Sequence, residues 1–115
     1  MKLYKLNKKT KKELINNIIK NNKVIIYYHS KKCPYCIMID GLLTEIFKKY
    51  EKDINVIIIS VERDNIDLLE KKKRINLVPS FISYKKGIKK MEFRKKREYE
   101  NIVNFIEKNK NEIII

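Results

Sequence analysis

Residues 24–36 read VIIYYHSKKCPYC. The first five, Val24–Tyr28, form an unbroken apolar run rich in β-branched and aromatic side chains. Such a run suits a strand covered on both faces. The only two cysteines of the chain follow, Cys33 and Cys36, with Pro34 and Tyr35 between them. Beyond them Ile37, Ile39, Leu42, Leu43, Ile46, Phe47 and Tyr50 recur at roughly helical spacing. The cysteines are therefore expected where a buried strand gives way to a helix. Pro34 fits the first helical position, where a missing N–H costs nothing. Gly41 falls inside the helix and is expected to permit a kink or close packing.

That placement carries chemistry. The Cys33 sulfur would face the unpaired N–H groups of the first turn and the positive end of the helix dipole. Lys31 and Lys32 add positive charge beside it. Thiols in such settings have pKa values of about 3.5–7.5 rather than about 8.5. A drop of two units corresponds to about 2.7 kcal/mol in favour of the thiolate. Stabilising the reduced form makes the corresponding disulfide more oxidising. Cys36, one turn on, would lie within disulfide reach. Cys33 is the candidate nucleophile and Cys36 the candidate resolving thiol. A structural zinc site needs four ligands, and Cys33, Cys36 and His29 supply at most three Cys/His ligands. No metal is expected within one chain. A cluster shared between two chains and a pair of inert buried thiols remain as rival readings.

Working outward, Lys2–Leu6 alternates like a short strand. Thr10–Glu13 fits a capping box at a helix start, with Leu14, Ile15, Ile18 and Ile19 on one face and Asn21-Asn22 at its end. Ile54–Val61 is a second buried-strand candidate. Asp64 is expected to cap a third helix carrying Ile66, Leu68 and Leu69, and Ile75–Ser80 to form a loop. Phe81–Tyr84 and Ile88–Phe93 flank Lys85-Lys86-Gly87 and read as a hairpin. Tyr99, Ile102, Val103 and Ile106 mark a last helix. The order β-α-β-α-β-α-β-β-α implies an α/β fold: a parallel sheet with an antiparallel hairpin at one side. A chain of 115 residues is expected to form one domain, 1–115. The final Ile113–Ile115 either docks on a neighbour or is exposed.

Lysine, isoleucine and asparagine make up about half of the chain, a bias typical of an AT-rich genome. The formal charge is +14, with lysines dispersed along the chain. This reads first as a solvated basic surface and second as one suited to acidic protein partners. No aromatic-basic nucleic-acid motif accompanies it, so nucleic acid is not an expected partner. No apolar run approaches the roughly 18 residues of a membrane span, and the first residues lack the apolar stretch of a secretory signal. The expectation is a cytoplasmic monomer with reduced thiols.

Three stretches, VIIYYHSKKCPYC, INVIIISVERDN and INLVPSFISYKKGIKKMEF, follow one another as in the thioredoxin superfamily, which the chain resembles over nearly its whole length. The resemblance implies the thioredoxin fold, a central mixed sheet of four to five strands flanked by helices. It implies a thiol–disulfide oxidoreductase that exchanges a Cys33–Cys36 dithiol with protein disulfides and needs no cofactor beyond that pair. It also implies a cis Pro79, an isomer available essentially only before proline, with the Val78 backbone beside Cys33 to receive an extended substrate. Pro34 and Tyr35 would join Val78 and Pro79 in contacting substrate, and His29, Lys31 and Lys32 would tune the thiols. The reductant would be a thioredoxin-reductase type flavoprotein or glutathione.

CPYC itself is the glutaredoxin dithiol motif, so a glutathione-linked reductase is the alternative. However, the Gly-Gly-x-Asp stretch with which glutaredoxins hold glutathione is not found after the hairpin. The chain also departs from the thioredoxin pattern. Lys32 stands where a tryptophan precedes the first cysteine, Tyr27 where the preceding strand carries a buried aspartate, Ile58 where a lysine is usual, and Arg94 where a glycine follows the hairpin. A redox-inactive binding module using the same cleft and basic surface is the reading from another class.

Overall fold

Side chains alternate across a strand, and β2 (Lys23–His29) uses both sides of that alternation. Ile25 and Tyr27 enter one buried cluster, while Val24, Ile26 and Tyr28 enter another. β3 (Ile57–Glu62) divides in the same way, with Ile58 on the first side and Ile57, Ile59 and Val61 on the second. A strand with two buried faces must lie inside a sheet covered on both sides.

The computed structural model describes residues 1–69 and 78–111 and shows that sheet. Its strand order is β1-β3-β2-β4-β5, with β1 as Lys2–Lys5, β4 as Ser80–Lys85 and β5 as Ile88–Glu92. β1, β3 and β2 run parallel, and β4 and β5 form the antiparallel hairpin. Lys86 and Gly87, with φ of 50° and 83°, make the two-residue turn. Two consecutive positive φ values match the twist of the flanking strands.

The first cluster is covered by α2 (Pro34–Tyr50) and α3 (Tyr99–Asn111). Ile39, Leu43, Ile46 and Tyr50 of α2 recur every three or four residues and point inward. Phe81, Phe93 and Phe105 continue that core as edge-to-face pairs with centroids 5.7 Å apart. The second cluster is covered by the first helical segment, which is α-helical over Lys11–Glu13 (α1) and π-helical over Leu14–Ile19. A 3-10 helix, Arg63–Leu68, closes the same side through Ile66. No helix of the described residues is long and apolar enough to cross a membrane.

Local expectations differ from the structure at five places. The Thr10–Glu13 capping box does not form. Thr10 Oγ1 instead donates to the Lys5 carbonyl (2.8 Å) and accepts from the Asn7 amide (3.0 Å), and Asn7 Oδ1 accepts from the amides of Lys9 and Thr10. The preceding turn thus engages both the hydroxyl and the amide of Thr10. Glu62, not Asp64, caps the 3-10 helix, by accepting the Asp64 N–H at 2.8 Å. Ile37 is 64% exposed, so the buried face of α2 excludes it. A Cβ added at Gly41 would meet nothing within 4 Å, so this glycine makes no close contact. β3 starts at Ile57 rather than Ile54, which is exposed. The lysine-rich 71–74 stretch, residues 75–77 of the 75–80 loop and Ile113–Ile115 lie outside the described residues.

Candidate active site

β2 ends at His29, and the chain turns through Ser30–Lys32 into α2. The Cys33 amide donates to the Ser30 carbonyl at 3.2 Å and closes that turn. Cys33 is the N-cap of α2, with extended φ/ψ of −93° and 116° and Pro34 at the first helical position. An N-cap side chain normally offers an oxygen to the amide of the second or third helical residue. Here the acceptor is sulfur: Cys33 Sγ receives the Cys36 N–H at 3.2 Å. Both cysteines are free thiols.

The two sulfurs differ sharply. Partial desolvation pushes the Cys33 thiol up. Hydrogen bonds from the Cys36 side chain and from the Cys36 and Tyr35 amides, together with the positive charge of Arg97, outweigh it and hold the thiol below its ordinary pKa. Cys36 is only 2% exposed. Burial, its hydrogen bond to Cys33, the Cys33 charge and, least, the negative charge of Asp40 push it up to about 11, although its sulfur accepts the Ser30 N–H at 3.4 Å. One thiol is prepared to ionise and the other to stay protonated.

Across from the helix tip lies the start of β4. The Val78–Pro79 bond is cis, and the Val78 carbonyl is 3.7 Å from Cys33 Sγ. The Pro79 carbonyl receives two hydrogen bonds from the Arg97 guanidinium, from Nε at 3.1 Å and Nη2 at 2.7 Å. Arg97 thus ties the segment between β5 and α3 to the proline beside the thiols and brings a cation to them. Sequence reasoning missed Arg97. It lies in the run Arg94-Lys95-Lys96-Arg97, and only the fold shows which member turns inward.

The other candidates separate into two groups. Pro34 and Tyr35 lie on the exposed tip of α2, and Tyr35, Ile37 and Met38 are exposed apolar residues of the two turns that follow Cys33. Lys31 and Lys32 are also exposed, on the turn entering the helix. His29 is half-buried instead. Its Nε2 meets Ser60 Oγ at 2.6 Å, its ring stacks on Tyr27 at 4.9 Å, and burial lowers its pKa. Among the described residues no group of three or more His, Cys, Asp or Glu side chains is placed to hold a metal ion.

A strand, a helix capped by the first sulfur of a Cys-x-x-Cys pair, and a cis-proline facing that sulfur are now in place. The family model described as Thioredoxin matches residues 3–108. The chain belongs to the thioredoxin family. Solved thioredoxin structures superpose on most of it. Mitochondrial thioredoxin 3 of Saccharomyces cerevisiae, in its oxidized form, is 22% identical, with a TM-score of 0.68 over 91% of this chain and 93% of that one. The oxidised thioredoxin of Plasmodium falciparum is 23% identical, with a TM-score of 0.66 over 94% and 96%. The zinc-bound form of human ERp44 is 16% identical, with a TM-score of 0.70 over 96% of this chain. This chain spans about a third of that larger protein. At these identities the likeness is one of fold. A comparison with curated protein sequences gives no match.

Proposed function

We propose that this thioredoxin-family chain is a thiol–disulfide oxidoreductase that exchanges its Cys33/Cys36 dithiol with disulfides of other proteins. The observation that carries this reading is the asymmetry of the pair: Cys33 Sγ caps α2 with a lowered pKa, and Cys36 is buried with a raised one. A thiolate, not a thiol, attacks a disulfide. The Cys33 thiolate attacks one sulfur of the partner's disulfide, whose other sulfur leaves as a thiolate. Cys36 then loses its proton and attacks Cys33. The mixed disulfide breaks, and the second partner sulfur departs, leaving the partner reduced and Cys33–Cys36 oxidised.

The surroundings favour a polypeptide substrate. The Val78 backbone beside Cys33 can pair with an extended segment as an added strand, and Tyr35, Ile37 and Met38 offer exposed apolar ground on the two turns that follow Cys33. The cycle is completed by two electrons from a thioredoxin-reductase type flavoprotein or from glutathione.

Substitution tests the mechanism. Cys36→Ser should trap covalent Cys33–partner complexes that dithiothreitol releases, and Cys33→Ser should trap none. If neither change lowers turnover in a protein-disulfide reduction assay, the mechanism is wrong. Supplying either NADPH with a flavoprotein reductase or glutathione in that assay separates the two reductants.

A further inference from the structure

The exchange proposed above leaves one proton unaccounted for. Cys36 must become a thiolate before it can attack the Cys33–partner bond, yet it is sealed from solvent at 2% exposure. Burial, the largest cause of its raised pKa, persists when Cys33 is bound to a partner and holds the thiol protonated at pH 7. A buried thiol in this state needs a neighbouring base.

The groups facing it are few. From β2 comes Tyr27, buried at 4%, with His29 stacked on its ring. From α2 itself comes Asp40, four residues beyond Cys36 and so on the same side of the helix. Cys33 lies on the other side of Cys36, with Arg97 acting on it from the segment after β5. Tyr27 is the wrong kind of group, since burial and the Asp40 charge hold its phenol protonated well above the ordinary range. His29 has Ser60 as its hydrogen-bond partner. Asp40 differs from both. Its carboxylate receives the Tyr27 hydroxyl at 3.5 Å, its negative charge is felt at Cys36, and it is open to water.

We propose that Asp40, steadied by the Tyr27 hydroxyl, accepts the Cys36 proton in the second step of exchange. The inference rests on the dithiol reading above. In the mixed disulfide the Cys36 S–H proton passes to the Asp40 carboxylate. The Cys36 electron pair forms the bond to Cys33 Sγ, and the Cys33–partner bond breaks. The partner sulfur leaves with that bond's electrons and takes up a proton, while Asp40 returns its own to solvent. Tyr27 is a positioning residue in this scheme.

The test uses dithiobis(nitrobenzoate) as the disulfide, because its two nitrothiolate releases report the two steps separately at 412 nm. Asp40→Asn keeps the size of the side chain and removes its basicity. The second release should slow by about 10- to 100-fold at pH 7, the range of a modest general base. Its rate should recover as pH rises and Cys36 ionises unaided, giving a profile displaced to higher pH. Tyr27→Phe should slow the same phase by a smaller factor and also displace the profile. A simple electrostatic role predicts the opposite sign. Removing a negative charge beside Cys36 would ease its ionisation, so a second release in Asp40→Asn as fast as, or faster than, in the parent protein overturns the proposal. If Cys33 forms no mixed disulfide in the parent protein, the first release is missing as well, and the dithiol reading falls together with this one.

Discussion

Arg97→Met tests whether one side chain holds both the proline segment and the nucleophile. Methionine keeps most of the apolar stem and deletes the guanidinium. The Pro79 carbonyl then loses two donors, now at 3.1 and 2.7 Å. A hydrogen bond from a charged group contributes about 1.5–3 kcal/mol. Two donors on one oxygen are worth less than twice that, and Arg97 is only half-buried, so water can replace part of the loss. The expected destabilisation is about 1–2 kcal/mol, or a fall in Tm of about 4–8 °C for a domain of this size. The same change removes a positive charge acting on Cys33, so the pH dependence of its alkylation should move upward. Arg97→Lys separates the two effects. It keeps the charge and loses the planar fork, so it should preserve much of the alkylation profile while still lowering Tm. Thermal unfolding of the reduced protein and alkylation rates in a Cys36→Ser background measure both quantities. An unchanged Tm together with an unchanged alkylation profile in Arg97→Met would refute the assigned contact.

Two further outcomes follow from the geometry. The raised pKa of Cys36 makes the reduced protein's stability fall with pH. Between the ordinary thiol value of 9.0 and about 11 the unfolded chain has lost this proton and the folded chain retains it, so the unfolded state is favoured as pH rises. The loss across that window should be about 2–3 kcal/mol, read by urea unfolding as the difference between the reduced parent and Cys36→Ser. Cys33, with its pKa lowered, acts in the other direction: its stabilisation is present above the ordinary thiol value and lost as pH falls through its own. Phe93→Ala should cost about 3–5 kcal/mol, because it opens a cavity between Phe81 and Phe105. A loss under 1 kcal/mol would show that this aromatic row is loosely packed.

The parts of the fold legible in sequence were those with a strong local signature. Val24–Tyr28 announced a strand with two covered faces, and the hairpin was marked by Lys86-Gly87. The motif Cys33-Pro34-Tyr35-Cys36 carried its own helix start. Failures came where several nearby groups compete for the same role. Thr10 has the side chain of a cap, but the Asn7 turn engages it first. Glu62 and Asp64 are both suitable caps, and which one serves depends on where β3 ends. Ile37 fits the apolar spacing of α2 yet faces outward, because the burying stripe is set by the angle at which the helix lies on the sheet. Arg97 and Asp40 were invisible for a related reason. One is a cation in a cationic run and the other a carboxylate on a helix surface, and both matter only through contacts made across the fold.

The unequal exposure of the two sulfurs gives the exchange a direction in space. A reagent arriving from solvent meets Cys33 and finds Cys36 hidden beneath it. Each molecule is therefore loaded once, always on the same atom. In the exchange proposed above the guest would be expelled from below, by an atom the guest's own chain never meets on arrival.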